Sequence, residues 1–212
     1  MTIELADNLQ QLGNEIKVCP LCDLAKTRTN AVPGEGSQTA EVLFIGEAPG
    51  MTEDQEGRPF IGQAGKLLTQ LIESAGLKRN EVFITNIVKC RPPNNRDPEA
   101  KEIAACAPYL HRQIALIKPK VVVTLGRFSM NMFFPGASIS KIHGMARQIG
   151  SVHYLPMYHP AAALHQGNLL AVIKEDFLRL PMLIDTARVA GVSGHQISEN
   201  GEESPTQLSL FS

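Results

Sequence analysis

Four short apolar runs punctuate the chain, at residues 42–45, 82–85, 121–125 and 152–157. Each is rich in β-branched and aliphatic residues and scarcely alternates with polar ones, as expected of strands buried on both faces. Helical spacing fills the gaps. Residues 62–76 place Leu67, Leu68, Leu71 and Ile72 on one stripe, and residues 98–117 form a second such segment, with Asp97 expected as its N-cap and Pro98 at its first turn. Residues 169–183 read as a closing helix. Strand alternating with helix predicts an α/β fold, a three-layer α/β/α arrangement around a central, mainly parallel four-stranded sheet. The pattern places one domain over residues 1–186. Beyond it, residues 187–206 are rich in Gly, Ser and Glu, so 187–212 is expected to be a disordered tail.

Composition narrows the class without naming a function. With 212 residues, 43% hydrophobic and 19% charged, the chain has enough apolar material for one sizeable core. No apolar run approaches the roughly 18 residues that span a bilayer, and the first residues lack a basic, then apolar leader, so the expected address is a reducing cytoplasm. The net charge of -1 leaves any nucleic-acid contact to a local basic patch.

In an open parallel sheet, ligands bind beyond the carboxyl ends of the strands. There this chain places Gly46-Glu47-Ala48-Pro49-Gly50 after the first run, Asn86 after the second, Gly126-Arg127 after the third and Tyr158-His159-Pro160-Ala161-Ala162 after the fourth. Each polar residue alone is as well explained by a cap, a packed ring or a solvated loop charge. A carboxylate, a carboxamide and a histidine on one sheet edge instead make a donor and acceptor set suited to a small polar heterocycle.

The four cysteines, Cys19, Cys22, Cys90 and Cys106, form one tight pair and two distant single thiols. Such a set completes a four-thiolate shell, and spacing alone leaves zinc and an iron-sulfur cluster even. Disulfides would need an oxidising compartment, which the N-terminus does not predict.

Together these motifs resemble the family 4 uracil-DNA glycosylases, the iron-sulfur branch of the uracil-DNA glycosylase superfamily, over residues 19–180. The resemblance rests on Cys19-Pro20-Leu21-Cys22, Gly46-Glu47-Ala48-Pro49-Gly50, Gly57-Arg58-Pro59-Phe60-Ile61-Gly62, the run from Thr85-Asn86 through Lys89-Cys90 to Arg96, and His159-Pro160-Ala161. It implies removal of uracil from DNA to leave an abasic site, and a [4Fe-4S] cluster on the four cysteines that pins residues 91–96 beside the DNA. The expected uracil site is Gly46, Glu47 and Ala48 on one wall, Phe60 stacked on the base, Asn86 reading its edge and His159 bonding O2. Glu47 and His159 are the expected catalytic groups, because this chain has Ala48 where the best-known branch of the superfamily has an aspartate. The resemblance also suggests that Glu53 blocks the thymine methyl.

For DNA, which the resemblance leaves single- or double-stranded, Lys89, Arg91, Arg96, Lys141 and Arg147 are expected on phosphates and Leu164 as an apolar wedge in the vacated stack. The C-terminal Gln207-Leu208-Ser209-Leu210-Phe211 resembles the motif by which bacterial DNA-maintenance proteins dock on the replicative sliding clamp, with Gln207, Leu208, Leu210 and Phe211 as its contacts. Nothing demands more than a monomer. A non-catalytic or trapping uracil-binding protein of the same fold is the competing reading. The trapping branch has a histidine after a basic run in the loop following the second strand, and residues 91–96 contain none.

Overall fold

The computed structural model describes the backbone of residues 8–195 and the side chains of residues 8–189. In chain order its main elements are α1 (Leu9–Val18), β1 (Glu35–Gly36), β2 (Val42–Gly46), α2 (Met51–Glu56), α3 (Gln63–Ser74), β3 (Phe83–Asn86), α4 (Ala100–Ile117), β4 (Val121–Leu125), α5 (Arg127–Asn131), α6 (Ile139–Ile142), β5 (Arg147–Ile149), β6 (Val152–Met157), α7 (Pro160–His165), α8 (Leu169–Leu178) and α9 (Leu180–His195). The strands form one sheet in the order β1-β3-β2-β4-β6-β5. The four inner strands are parallel, and the two outermost pair antiparallel.

Period-two geometry sorts each inner strand onto two cores. Val42 and Phe44 of β2 pack with Leu68, Leu71 and Ile72 of α3, Ile173 and Phe177 of α8, and Leu180 and Ile184 of α9. Leu43 and Ile45 face the other way, onto Leu12 and Ile16 of α1 and Leu110 and Ile117 of α4. This is the expected three-layer sandwich, with six strands instead of four. The extra pair escaped the apolar pattern because β1 is Glu35-Gly36 and β5 begins with exposed Arg147 and Gln148. Short, polar edges of this kind protect a sheet against pairing with another chain.

Two helical boundaries differ from the sequence pattern. α4 starts after Glu99, not after Asp97, because Glu99 and Glu102 form a reciprocal capping box that serves two end amides. Asp97 instead bonds Arg127 at the start of α5. The closing helix is two helices, and α9 runs to His195, past the residue 186 boundary expected from composition. Ala187 is buried against the core and Arg188 pairs with Glu41 and Asp185, so packing and charge hold residues whose composition reads as tail. Residues 207–211, with the clamp-like motif, lie outside the described residues. No helix among the described residues is long and apolar enough to cross a membrane.

Candidate functional site

The strand register builds the site. Gly46 at the end of β2 lies opposite Asn86 at the end of β3. β6 delivers His159 two residues after its last residue, and Gly126, just past β4, donates its N–H to Met157 O at 2.8 Å. Outside these ends lies a pocket of about 480 Å³, within the range of small-molecule sites. Glu47, Ala48, Phe60, Asn86 and His159 all line it, so most of the base-recognition set expected from sequence converges. Gly46 itself lies behind the wall. A Cβ there would come within 2.4 Å of Asn86 Oδ1 and 2.5 Å of Phe60 Cζ, so glycine is what allows the two side chains to meet over the strand end.

Phe60 sits in a left-handed conformation with φ 51°, its ring 5.5 Å from the His159 ring. Three contacts stabilise that strained turn. Glu53 Oε1 accepts the N–H of Ile61 at 3.0 Å and of Gly62 at 2.8 Å, Arg79 donates to Pro59 O at 2.6 Å, and α3 approaches so closely that a Cβ on Gly65 would overlap the Phe60 carbonyl. Glu53 therefore also satisfies amides at the start of α3, where Gly62 has no side chain to cap with. Its carboxylate lines the pocket as a fixed group, not a solvated loop charge.

Asn86 is 1% exposed, and its Oδ1 is buried without a hydrogen-bond partner. An unpaired buried acceptor costs about 1–3 kcal/mol unless something occupies it. His159 caps α7: its Nδ1 accepts the Ala161 N–H at 3.1 Å, which places the ring proton of the neutral form on Nε2. The ring is half-buried in the pocket wall, and desolvation pushes its pKa down to about 4, against a smaller opposing pull from Glu53. The ring is thus neutral at pH 7, with Nε2–H as its free donor. For Glu47, desolvation first and the charge of Asp97 second raise the carboxyl above its ordinary range, partly offset by Arg127.

The mouth of the pocket brings in residues that the strand-end argument missed. Pro92, Asn95 and Arg96 come from the loop after Cys90, and His165 from α7, beside Ala161 of the fourth strand end. The signal for His165 was its i,i+4 spacing from Ala161 on a proline-led helix. Arg96 grips Glu102 at 2.7 and 2.9 Å, and Arg91 donates to Asn95 Oδ1 at 2.7 Å, so the basic loop is braced by its own charges. Asn94 and Asn95 are both left-handed, a conformation asparagine tolerates better than most residues. Leu164 is 48% exposed on α7 and does not pack in the core. Lys141 and Arg147 are exposed away from the pocket. Lys89 is a correction: it is 1% exposed, with its ammonium enclosed by Thr85, Asn86 and Gln113, and cannot reach a phosphate.

The four cysteines carry free thiols and line one small cavity between α1, α4 and the end of β3. Arg28, which sequence reasoning passed over, donates to Cys90 Sγ at 3.1 Å, and the Lys89 N–H points to Cys106 Sγ at 3.3 Å. Burial raises the Cys106 thiol to about 11 and the Cys90 thiol by a smaller degree, so loss of these protons needs a positive centre.

A family model described as the uracil DNA glycosylase superfamily matches residues 33–179. The type-4 uracil-DNA glycosylase of Sulfurisphaera tokodaii is 52% identical, covering 86% of this chain and 87% of its own length. That of Saccharolobus solfataricus is 52% identical over 82% of this chain and 85% of its own. That of Archaeoglobus fulgidus is 44% identical over 82% and 92%. With the pocket at the strand ends and the four thiols beside it, these matches place the chain in the uracil DNA glycosylase superfamily.

Proposed function

We propose that the protein removes uracil from DNA by hydrolysing its N-glycosidic bond, and that the unpartnered Asn86 carboxamide is what reads the base. A base buried in a duplex must first be rotated out of the stack. Asn86 then accepts the uracil N3–H at Oδ1 and donates to O4 from Nδ2. Cytosine presents an acceptor at N3 and a donor at N4, so the same amide is left with both groups mismatched. Phe60, immobilised by its turn, offers a face for stacking, and the pinned Glu53 carboxylate is the group that excludes a methyl at C5.

When the C1′–N1 bond breaks, its electron pair leaves with uracil and positive charge grows on the sugar. The neutral His159 Nε2–H supports the charge developing on O2 without first giving up a proton. Glu47, at the mouth, holds the position from which a carboxylate supports the sugar cation or orients the water that adds at C1′. Arg91, Arg96, Lys141 and Arg147 are the cations available for phosphates, and Leu164 the wedge for the gap in the stack.

The cysteine site fits an iron-sulfur cluster. Cys19, Cys22, Cys90 and Cys106 surround one cavity. The motif resemblance favours a [4Fe-4S] cluster there over the zinc alternative. N–H and guanidinium donors to sulfur suit a thiolate shell, whose metal would supply the positive centre these buried thiols need. A reducing compartment such as the cytoplasm suits such a shell. We also carry the sliding-clamp reading of residues 207–211, on its motif alone; deleting 207–212 should abolish co-precipitation with clamp if it holds.

The function is tested on an oligonucleotide with a single deoxyuridine. Alkali-sensitive cleavage should appear there and not at thymine or cytosine in its place, from a protein absorbing near roughly 400 nm. Stable binding to uracil without cleavage would favour the non-catalytic alternative.

A further inference from the structure

Lys89 carries the most unusual environment in the molecule. Its Nζ lies 2.6 Å from Thr85 Oγ1, 2.7 Å from Asn86 O and 2.7 Å from Gln113 Oε1. All three are acceptors. The Asn86 atom is a backbone carbonyl; Thr85 gives its own proton to Pro33 O at 2.9 Å; and Gln113 turns its NH₂ to the same carbonyl at 2.7 Å, leaving Oε1 toward the lysine. Three acceptors need three N–H donors, so geometry makes the group an ammonium. Among the described residues no Asp or Glu pairs with it.

The same residue touches both sites. Its N–H bonds Cys106 Sγ and its C=O accepts the Val32 N–H at 2.7 Å, while its ammonium holds the backbone of the residue that reads uracil. We propose that Lys89 is a positioning residue that couples the cysteine site to base recognition, its N–H on Cys106 Sγ and its three-acceptor ammonium fixing the Asn86 backbone from behind. This rests on the uracil reading of Asn86. It assigns the lysine of the Val88-Lys89-Cys90 segment to the interior and explains why it is not spent on phosphate.

The test uses metal-loaded protein and two oligonucleotides, one with 2′-fluoro-deoxyuridine, which resists hydrolysis, and one with a tetrahydrofuran abasic analogue that offers no base. Lys89→Met should weaken binding to the uracil oligonucleotide about tenfold while leaving the abasic oligonucleotide unaffected and the visible absorption in place. Gln113→Met, far from the pocket in sequence, should act in the same direction to a smaller degree, and it decides the matter if Lys89→Met does not fold. Adding Lys89→Met to Asn86→Ala should cost nothing further for uracil. The inference is overturned if the foldable variants keep the parent's ratio of affinities, or lose both affinities in proportion. A parent protein that binds the uracil and abasic oligonucleotides equally would instead remove the reading of Asn86 on which it stands.

Discussion

Gly46 shows how one missing methyl group shapes the site. Nothing about a glycine after an apolar run distinguishes a tight turn from a close approach, and only the register of β2 against β3 shows that Asn86 and Phe60 occupy the space of its absent side chain. Gly46→Ala should therefore lower kcat/KM for uracil release by at least roughly tenfold, about 1.4 kcal/mol of barrier. Its cost to stability, read from urea midpoints, should be about 1–3 kcal/mol as the crowded neighbours shift. His159 makes a second prediction at this scale. Its folded pKa of about 4 lies below the ordinary imidazole value of 6.5, so between those values the unfolded chain binds a proton that the folded chain refuses. Stability from this group is complete above about pH 6.5 and is lost as pH falls toward 4. The drop in urea midpoint from pH 7 to pH 5 should be smaller in His159→Gln than in the parent; an equal drop would contradict the desolvated, neutral ring. Asn86 and His159 could be picked out in the sequence because they follow apolar runs that end at one sheet edge, whereas Phe60, in the turn before α3, was picked out by its motif. The fates of Lys89 and Glu53 were not, since a lysine or glutamate in a loop looks the same whether it faces water or is enclosed by acceptors.

At the level of elements, apolar runs were a good guide and polar ones a poor one. β2, β4 and β6 were legible because both their faces are covered, whereas β1 and β5 have almost no apolar residues to show. The start of α4 was misplaced because proline after aspartate reads as a helix start, while the reciprocal Glu99–Glu102 arrangement appears only when both side chains are placed. Glu102 is nearly fully buried, accepts two bonds from Arg96 and takes the Glu99 N–H at 2.7 Å. Glu102→Ala should destabilise the protein by about 2 kcal/mol, since it removes a cap and leaves Arg96 without its strongest partner. The same substitution should raise KM more than it lowers kcat, because Arg96 forms part of the pocket mouth. An unchanged urea midpoint would show that the capping box does not anchor this helix.

Across the whole molecule, the iron-sulfur cluster proposed on the four cysteines would tie the segment after α1 to the end of β3 and to α4, closing a loop of most of the first half of the chain. On the scale of cross-links that close loops near 100 residues, this is worth about 4–5 kcal/mol. Cys106→Ala should therefore lower the melting temperature by roughly 10 °C and remove the visible absorption together. Loss of colour with an unchanged melting temperature would show that the site does not brace the fold. The sheet, by contrast, positions the base-reading residues through backbone register alone, so the pocket and the thiols are two supports meeting at the segment from Asn86 to Cys90.

The most direct measurement is the single-turnover rate of uracil release from an oligonucleotide containing one deoxyuridine, for the parent, Asn86→Ala and His159→Ala. The parent should release uracil, and each variant should lose about a hundredfold or more with the visible absorption retained, as expected if Asn86 reads the base and His159 supports its departure. A parent that releases no uracil, or variants that release it at the parent's rate, would contradict this reading.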